Sequence, residues 1–567
     1  MRRPLCLAGL AFVAAMLTAI PWISRGAPTV ETLHQENVTA LGRVAWKEYR
    51  TSGGEEVLTV SLEQVIVLKP DQISSLTQIL SDSDTTKPNH IPADSMKRTK
   101  MSGIPTAASV NEIETYCRAN KEKLQMADTE QITGLLCYLE EGDPAMGSYV
   151  VVEGKFQAFA HATNPGAFDA ADYYHIMGQQ GRLLGSRCLA ESEACDSFRE
   201  RLYRLKEYLA LLLKASYPEK EAAIMRAMLL GEKGTLDAEI KSLYQQNGIL
   251  HILAISGLHL SILGMGLYKI LRRLHVPNAV NIILSIAVMY CYGTMTGMGI
   301  SIVRALIMFG FHLGAGLVGR TYDMLTAMMA AALSIQQPLY LRHSGFLFSF
   351  GAICGIGLFL PAVEAHRFFD NRFVRAFCAG LGISLSTLPV YLVFYSAFPP
   401  YSVLLNLLVI PAMSVILLGG LVTLAGAAAM LPLGTWLAWP GGILLRMYEA
   451  CCNLCLLLPG HQWITGCPEA WQTVLFLLLL AGLALFYERM RKWQFWAAVL
   501  AAVLVLTVRL PQGFEMTVLD VGQGDCIYLT DGYSQHYLID GGSSDQKDVD
   551  VYQMLPFLKY RGVNYLD

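Results

Sequence analysis

The chain reads as a polytopic α-helical membrane protein of about eleven spans, carrying an extracytoplasmic β domain. Three observations predict this class. Of 567 residues, 53% are hydrophobic and only 16% charged, where soluble domains carry roughly 25% charge; mean hydropathy is +0.39. Apolar stretches near twenty residues long, enough to cross a bilayer core about 30 Å thick, recur almost without a break from residue 249 to 509. Lys and Arg collect on alternate connections, as cytoplasmic loops require. A soluble enzyme and a disordered chain are excluded. Net charge is −3, so there is no global basic signature for nucleic acid, and any polyanion contact has to be local.

Residues 1–27 predict an N-terminal membrane anchor: Leu5–Ile23 is apolar and follows Arg2 and Arg3. No clean small-x-small site follows it, so an uncleaved anchor is expected rather than a removed signal peptide. Residues 28–199 predict the extracytoplasmic β domain. Thr39–Trp46 and Glu56–Val67 have strand character around the hairpin signal Gly53-Gly54, and Gln131–Leu139 and Ser148–Phe159 return as strands. Asp71–Val110 is a polar insertion. Several short strands over this length predict a small OB-like β-barrel. Cys117, Cys137, Cys188 and Cys195 all fall on this outer segment. An even count in an oxidising compartment permits two disulfides in three connectivities; four buried thiols are the alternative. Residues 200–248 predict amphipathic linker helices. Leu202, Leu205, Leu209 and Leu212/Leu213 share one side of Glu200–Ser216, which predicts a helix lying on the membrane surface. Arg199, Arg201, Arg204 and Lys206 fit that surface or an ordinary solvated face.

Residues 249–510 predict the transmembrane domain, with ten spans starting near His251, Asn278, Ile300, Asp323, Gly345, Val374, Ser402, Thr435, Trp471 and Gln494. With the N-terminus inside, the clusters Lys269/Arg272/Arg273, Arg320, Arg367/Arg372/Arg375 and Arg489/Arg491/Lys492 all land inside, and Pro459–Glu469, which has no Lys or Arg, lands outside. The same threading places residues 28–248 and the segment after Leu510 outside the cytoplasm.

Polar side chains within such a block usually face a bundle interior or a water-filled path. Ser256 and His259 share a face if their helix is unbroken, with His251 about 80° away; Gly257 is a candidate break. His251, Ser256 and His259 either line a polar pathway or bond neighbouring helices, and two histidines make no metal site without a third ligand. Arg304, after Gly293, Gly297 and Gly299, either meets phosphate, which suits its guanidinium fork, or pairs with a carboxylate or helix-end carbonyls. Asn406 either lines the pathway or bonds across helices. Arg446 and Glu449 are expected to neutralise one another.

The run Asn247-Gly248-Ile249-Leu250-His251-Ile252-Leu253-Ala254-Ile255-Ser256-Gly257-Leu258-His259 resembles the signature of the ComEC family of DNA-internalisation competence proteins. Asn164-Pro165-Gly166-Ala167-Phe168-Asp169 with Tyr173 resembles the end of that family's outer β domain, and Leu229-Leu230-Gly231-Glu232 its run before the signature. Thr296-Gly297 with Ser301 and Arg304-Ala305, then Gly345–Phe350, then Asn406 with Pro411, resemble its later membrane motifs. Residues 511–567 carry Asp520-Val521-Gly522-Gln523-Gly524-Asp525 and Ile539-Asp540-Gly541-Gly542, which resemble the opening strands of the family's metallo-β-lactamase-like α/β domain. Simple turn chemistry accounts for these glycines equally well.

The resemblance implies a channel that moves one DNA strand across the inner membrane during natural transformation. It implies a DNA receptor and a cytoplasmic translocation ATPase as partners, contact with membrane lipid, and a homo-oligomer as an option. The family's histidine-rich ligand motif would follow Tyr552–Leu566, and the sequence stops at Asp567. A partial hydrolase domain with no metal site or cofactor in this chain is therefore expected, and a zinc or manganese nuclease only in a full-length form. A small-molecule or ion permease and a membrane-anchored hydrolase are the alternatives. No Gly-x-x-x-x-Gly-Lys-Ser/Thr phosphate loop occurs in the sequence, so energy for transport would come from elsewhere.

Overall fold

The computed structural model describes residues 35–52, 55–68, 132–192, 194–334, 338–367, 371–509, 513–531, 535–546 and 548–567. The expected anchor at 1–27, the Gly53-Gly54 turn, the polar insertion and Cys117 lie outside them.

Five strands close a barrel in the order β1-β2-β3-β5-β4: β1 Asn37–Ser52, β2 Glu55–Leu68, β3 Gly134–Glu141, β4 Tyr149–Ala158 and β5 Gly181–Glu191. Strand β1 makes closure possible. Its first half pairs with both β2 and β4, and register shifts at Leu41/Arg43 and Val44/Trp46 turn the second half away with β2 alone, as bulges do in barrels. Alternate residues, among them Ala40, Val44, Leu62, Leu135, Val150 and Phe156, fill the interior. Strand β5 escaped the sequence reading because its Gly and Arg residues blur the alternation. It lies parallel to β3 and antiparallel to β4, and Gly181 lets it approach: a Cβ there would sit 2.4 Å from the Phe156 ring. A short helix, α1 (Ala170–Ile176), precedes it.

Cys137, Cys188 and Cys195 are free thiols, so the expected bridges among these three are not formed. Cys137 is buried in the barrel and Cys188 half-buried on β5, and Cys195 is exposed before the next helix. Burial pushes the Cys137 thiol well above its ordinary range and that of Cys188 up to about 12, so both keep their protons.

Three helices follow: α2 Ser197–Ser216, α3 Glu219–Leu230 and α4 Ala238–Gln246. Asp196 caps α2 by accepting from the amides of Phe198 and Arg199. The helix expected to lie on the membrane surface packs as a wedge between the barrel and the helical bundle. Lys206 of α2 is 1% exposed, lies 4.7 Å over the Trp46 ring and pairs with Glu232 at 3.4 Å. From β1, Lys47 is 0% exposed, held by Asp143 at 2.8 Å and Glu200 at 3.4 Å. The predicted apolar side is only partly covered: Leu213 is buried while Leu205 is exposed.

The remaining helices are α5 Gly257–Arg273, α6 Asn278–Met295, α7 Ile300–Leu317, α8 Met324–Leu333, α9 Ser344–Ala365, α10 Arg372–Tyr395, α11 Ser402–Ala429, α12 Leu431–Leu457, α13 Ala470–Phe486 and α14 Lys492–Val505. The protein is a membrane protein. Among the described residues, six helices are long and apolar enough to cross a bilayer (α6, α7, α9, α10, α11, and α13 with its following turn); the first of the eleven expected spans lies outside the described residues. Helices α8 and α14 are apolar but shorter, α5 ends in Arg272 and Arg273, and α12 carries Arg446 and Glu449. Those last two do not neutralise each other: Arg446 donates to Glu221 at 2.6 Å, and Glu449 pairs with Lys220. Helix α3 therefore pins α12 through two ion pairs.

The barrel docks on one end of this bundle. Gly297, in the α6–α7 turn, has φ +98°, and its Cβ position faces the Trp46 ring at 3.3 Å; Asp172 of α1 pairs with Arg342 at 3.0 Å just before α9. After α10 and α12, the two-residue strands β6 (Ala397–Phe398) and β7 (Trp463–Ile464) pair at this same end. The last segment is a three-stranded antiparallel sheet, β8 Glu515–Val518, β9 Ile527–Thr530 and β10 His536–Ile539, with helix α15 Leu555–Arg561. It reaches both neighbours. The Cys467 amide donates to the Tyr560 carbonyl at 3.0 Å, and Asn164 donates to the Asp520 carbonyl at 2.7 Å while accepting from its amide at 2.9 Å.

Candidate functional site

Helix α5 starts at Gly257 because Ser256 caps it. The Ser256 hydroxyl accepts from the Leu258 amide at 3.3 Å. His259, at the third helical position, turns its Nδ1 back to accept from the Ser256 amide at 3.1 Å, with the Ser256 hydroxyl 3.0 Å away. This is a capping box with an imidazole in place of the usual Glu or Gln. Nδ1 is thereby fixed as an acceptor, and Nε2 points into a buried space with no protein partner. His259 is 0% exposed. His251 is separated from it by the helix start. It sits in the single turn Leu250–Leu253 and is exposed, so the angle of about 80° from His259 expected of an unbroken helix does not apply, while Ser256 and His259 do meet.

Arg304 is the fifth residue of α7 and is 9% exposed. Its guanidinium lies against Gly257, 5.9 Å from the Phe350 ring centroid, with Nη1 3.4 Å from the Met308 sulfur. No carboxylate forms an ion pair with it among the described residues, and its Nε is buried without a partner. The expected carboxylate partner is therefore not found. Asn406, the fifth residue of α11, also has its Oδ1 buried and unpartnered. Bonding across helices is thus not observed at that atom.

These three form a pattern. Within α5 to α14, the described side chains with a buried unpartnered nitrogen or oxygen are His259, Arg304 and Asn406. Buried polar groups in folded proteins nearly always have a partner, and each exception calls for a cause. All three lie in the first two turns of helices that begin at the barrel end of the bundle. Helix N-termini carry positive partial charge, so Arg304 is held there by packing and against the local field. The unpartnered nitrogens of His259 and Arg304 are donors and, with the helix starts, suit an anion; the unpartnered atom of Asn406 is an oxygen and an acceptor.

On the barrel side of this layer His251 and Lys233 are exposed and Tyr173 is 36% exposed. His259 and Arg304 are buried, so the layer itself is closed to solvent. Lys233 went unnoticed in the sequence. It lies beside Gly234, whose amide donates to Glu48 of β1 at 2.9 Å, a pairing of segments 186 residues apart that no local pattern announces.

The Asp520–Asp525 and Asp540–Gly542 turns behave as turns. The Asp520 carboxylate accepts from the Gly522 amide at 3.2 Å, and that of Asp540 from Gly541 and Gly542 at 2.6 and 3.0 Å. Gly522 has φ +82°, and a Cβ on Gly524 would sit 2.0 Å from the Gly542 carbonyl oxygen, so both glycines are required sterically. Asp525 is exposed. His536 faces the Tyr528 hydroxyl at 2.8 Å. Among the described residues no three His, Cys, Asp or Glu side chains converge as metal ligands.

The sequence profile of the Competence protein family matches residues 228–491. That span contains the whole layer from His251 to Asn406. ComE operon protein 3 of Bacillus subtilis (strain 168) is 24% identical over 479 residues, covering 79% of this chain and 60% of the relative. The uncharacterized protein YcaI of Escherichia coli (strain K12) is 23% identical over 429 residues, covering 69% of this chain and 53% of the relative. The chain thus spans between half and two thirds of the length of these relatives. No solved structure matches it.

Proposed function

We propose that this chain, a ComEC-family competence protein, passes single-stranded DNA through the inner membrane into the cytoplasm during uptake for natural transformation. The observation that carries this reading is the two unpartnered donors, His259 Nε2 and Arg304 Nε, at two helix N-termini. A phosphate chain crossing an apolar slab needs donors that are not already satisfied, and a guanidinium without a carboxylate is the strongest such donor. A permease for a neutral solute has no use for a buried, unpaired arginine. The closed layer is read as the shut state of the conduit, with Ser256 holding the His259 ring in place.

The five-stranded closed barrel, with β3 parallel to β5, supports the OB-type reading of the outer domain. Barrel and tail share one end of the bundle, and the basic connections at Arg272/Arg273, Arg320 and Arg489/Arg491 follow helices that run away from it. This supports an extracytoplasmic barrel and tail. A DNA receptor on the barrel side and a translocation ATPase on the basic side are the partners this orientation calls for. The tail sheet is read as part of a metallo-β-lactamase-like domain, here a docking element.

The test is strand delivery. Cells with the gene are given end-labelled duplex DNA, and labelled single strand is recovered from the cytoplasm. Arg304→Ala and His259→Ala should abolish recovery at normal protein level. Unchanged recovery in both variants defeats the reading.

A further inference from the structure

We propose that a run of aromatic rings from the barrel to the outer turn of α10 is a base-stacking track for an unpaired nucleic-acid strand. The proposal rests on the conduit reading above and adds which part of the polymer is gripped before the phosphate layer. Phe168 and Tyr173, beside and within α1, are 67% and 36% exposed, with ring centroids 5.4 Å apart. Tyr173 lies 5.8 Å from the ring of His343, the residue that caps α9. It is also close enough to Tyr395, the last residue of α10, for the two phenols to interact electrostatically. Tyr395 is 5.1 Å from Tyr391 and 6.3 Å from Phe348. The run ends at the signature segment: a Cβ on Gly248 would sit 3.3 Å from the Tyr391 hydroxyl.

Six rings from three elements, α1 with its flank, the start of α9 and the end of α10, thus lead from open solvent to the residues just before His251. Charge along the run is arranged for a polyanion. Lys233 lies near His343 and Arg50 near Tyr173. The neighbouring carboxylates are already held, Asp172 by Arg342 at 3.0 Å, Asp169 by His161 at 3.1 Å, and Glu48, beside Lys233 and Arg50, by the amides of Lys233 and Gly234 at 3.1 and 2.9 Å. Every base has a π face, so such a track takes any sequence; duplex DNA, whose bases are already stacked on each other, does not fit it.

The experiment uses the full chain in lipid nanodiscs and two fluorescent polymers of equal length, oligothymidylate and an abasic sugar-phosphate strand. Wild type should bind the thymidylate at least about tenfold more tightly than the abasic strand, given the stacking of two or more bases. Tyr173→Leu with Tyr395→Leu should erase that preference and leave the abasic affinity unchanged. Tyr173→Phe with Tyr395→Phe keeps both rings and should keep the preference, which shows that the sites tolerate change. Equal binding of the two polymers by wild type overturns the track while leaving the phosphate conduit standing. An equal loss of both affinities in the Leu variant also overturns it. Binding of neither polymer by wild type overturns the track and the conduit reading together.

Discussion

Arg304 rests its guanidinium on Gly257, so closely that a Cβ added to the glycine would lie 3.1 Å from Nη2. The contact joins the start of α5 to the first turns of α7 and sets where the buried charge sits. Gly257→Val should displace the arginine from the layer without unfolding α5, whose cap is made by Ser256. DNA uptake should fall at least roughly tenfold, the equivalent of about 1.4 kcal/mol, with the protein level unchanged by immunoblot. Gly266→Ala is the control: nothing lies within 4 Å of its Cβ position, and uptake should stay at the wild-type level.

Arg304 also separates a functional from a structural role by the sign of a stability change. An unpaired buried donor carries a desolvation penalty on the order of 1–3 kcal/mol, more when charged. Arg304→Leu removes it, giving up only the guanidinium's contacts with the Met308 sulfur and the Phe350 ring. The variant should therefore unfold at a higher denaturant concentration than wild type while losing DNA uptake. A structural arginine gives the opposite sign, a lower midpoint.

The polar residues of the site were legible in the sequence because the membrane makes them conspicuous: a His, an Arg or an Asn within apolar runs stands out by composition alone. Their partners were not. That His259 would complete a helix cap depends on α5 beginning at Gly257, and the unbroken-helix reading put His251 beside it instead. Arg446 and Glu449 looked like a pair because they are three apart, yet each finds a partner on α3, more than 220 residues earlier. Among the described residues, six of the expected spans are helices long and apolar enough to cross. Hydropathy cannot tell a crossing helix from an apolar one of 10 or 14 residues such as α8 or α14. The barrel was legible as a barrel, but β5 and the wedge role of α2 come from pairings across the chain.

The joint between barrel and wedge should weaken in acid. Burial pushes the Asp143 carboxyl up, but the hydrogen bonds and charges of Lys47 and Arg204 outweigh it and hold the group below its ordinary range. A carboxylate whose pKa is depressed on folding stabilises the fold above the unfolded value, about 3.9, and that contribution is lost as pH falls through the folded value. Thermal melts should therefore show a drop in midpoint below about pH 4. Asp143→Asn should start from a lower midpoint at neutral pH and show a shallower drop, because its amide does not titrate. An equal acid-induced drop in both proteins counts against Asp143 as the sensor.

Asn164 ties the barrel to the tail through three hydrogen bonds. Its side-chain amide donates to the Asp520 carbonyl at 2.7 Å and to Gln553 at 2.9 Å, and its carbonyl accepts from the Asp520 amide at 2.9 Å. Asn164 is buried, and its carboxamide both donates to and accepts from the backbone of one residue. Asn164→Asp keeps the acceptor but sets a carboxylate against the Asp520 carbonyl; Asn164→Ala leaves both peptide groups of Asp520 unpaired, a cost of about 1–3 kcal/mol for each one left buried. Both variants should raise amide exchange through Leu519–Asp525 by one to two orders of magnitude, while exchange in β1 and β4 stays at the wild-type rate. If the tail stays protected in both, the sheet and α15 hold it without the barrel, through contacts such as the one between Cys467 and Tyr560.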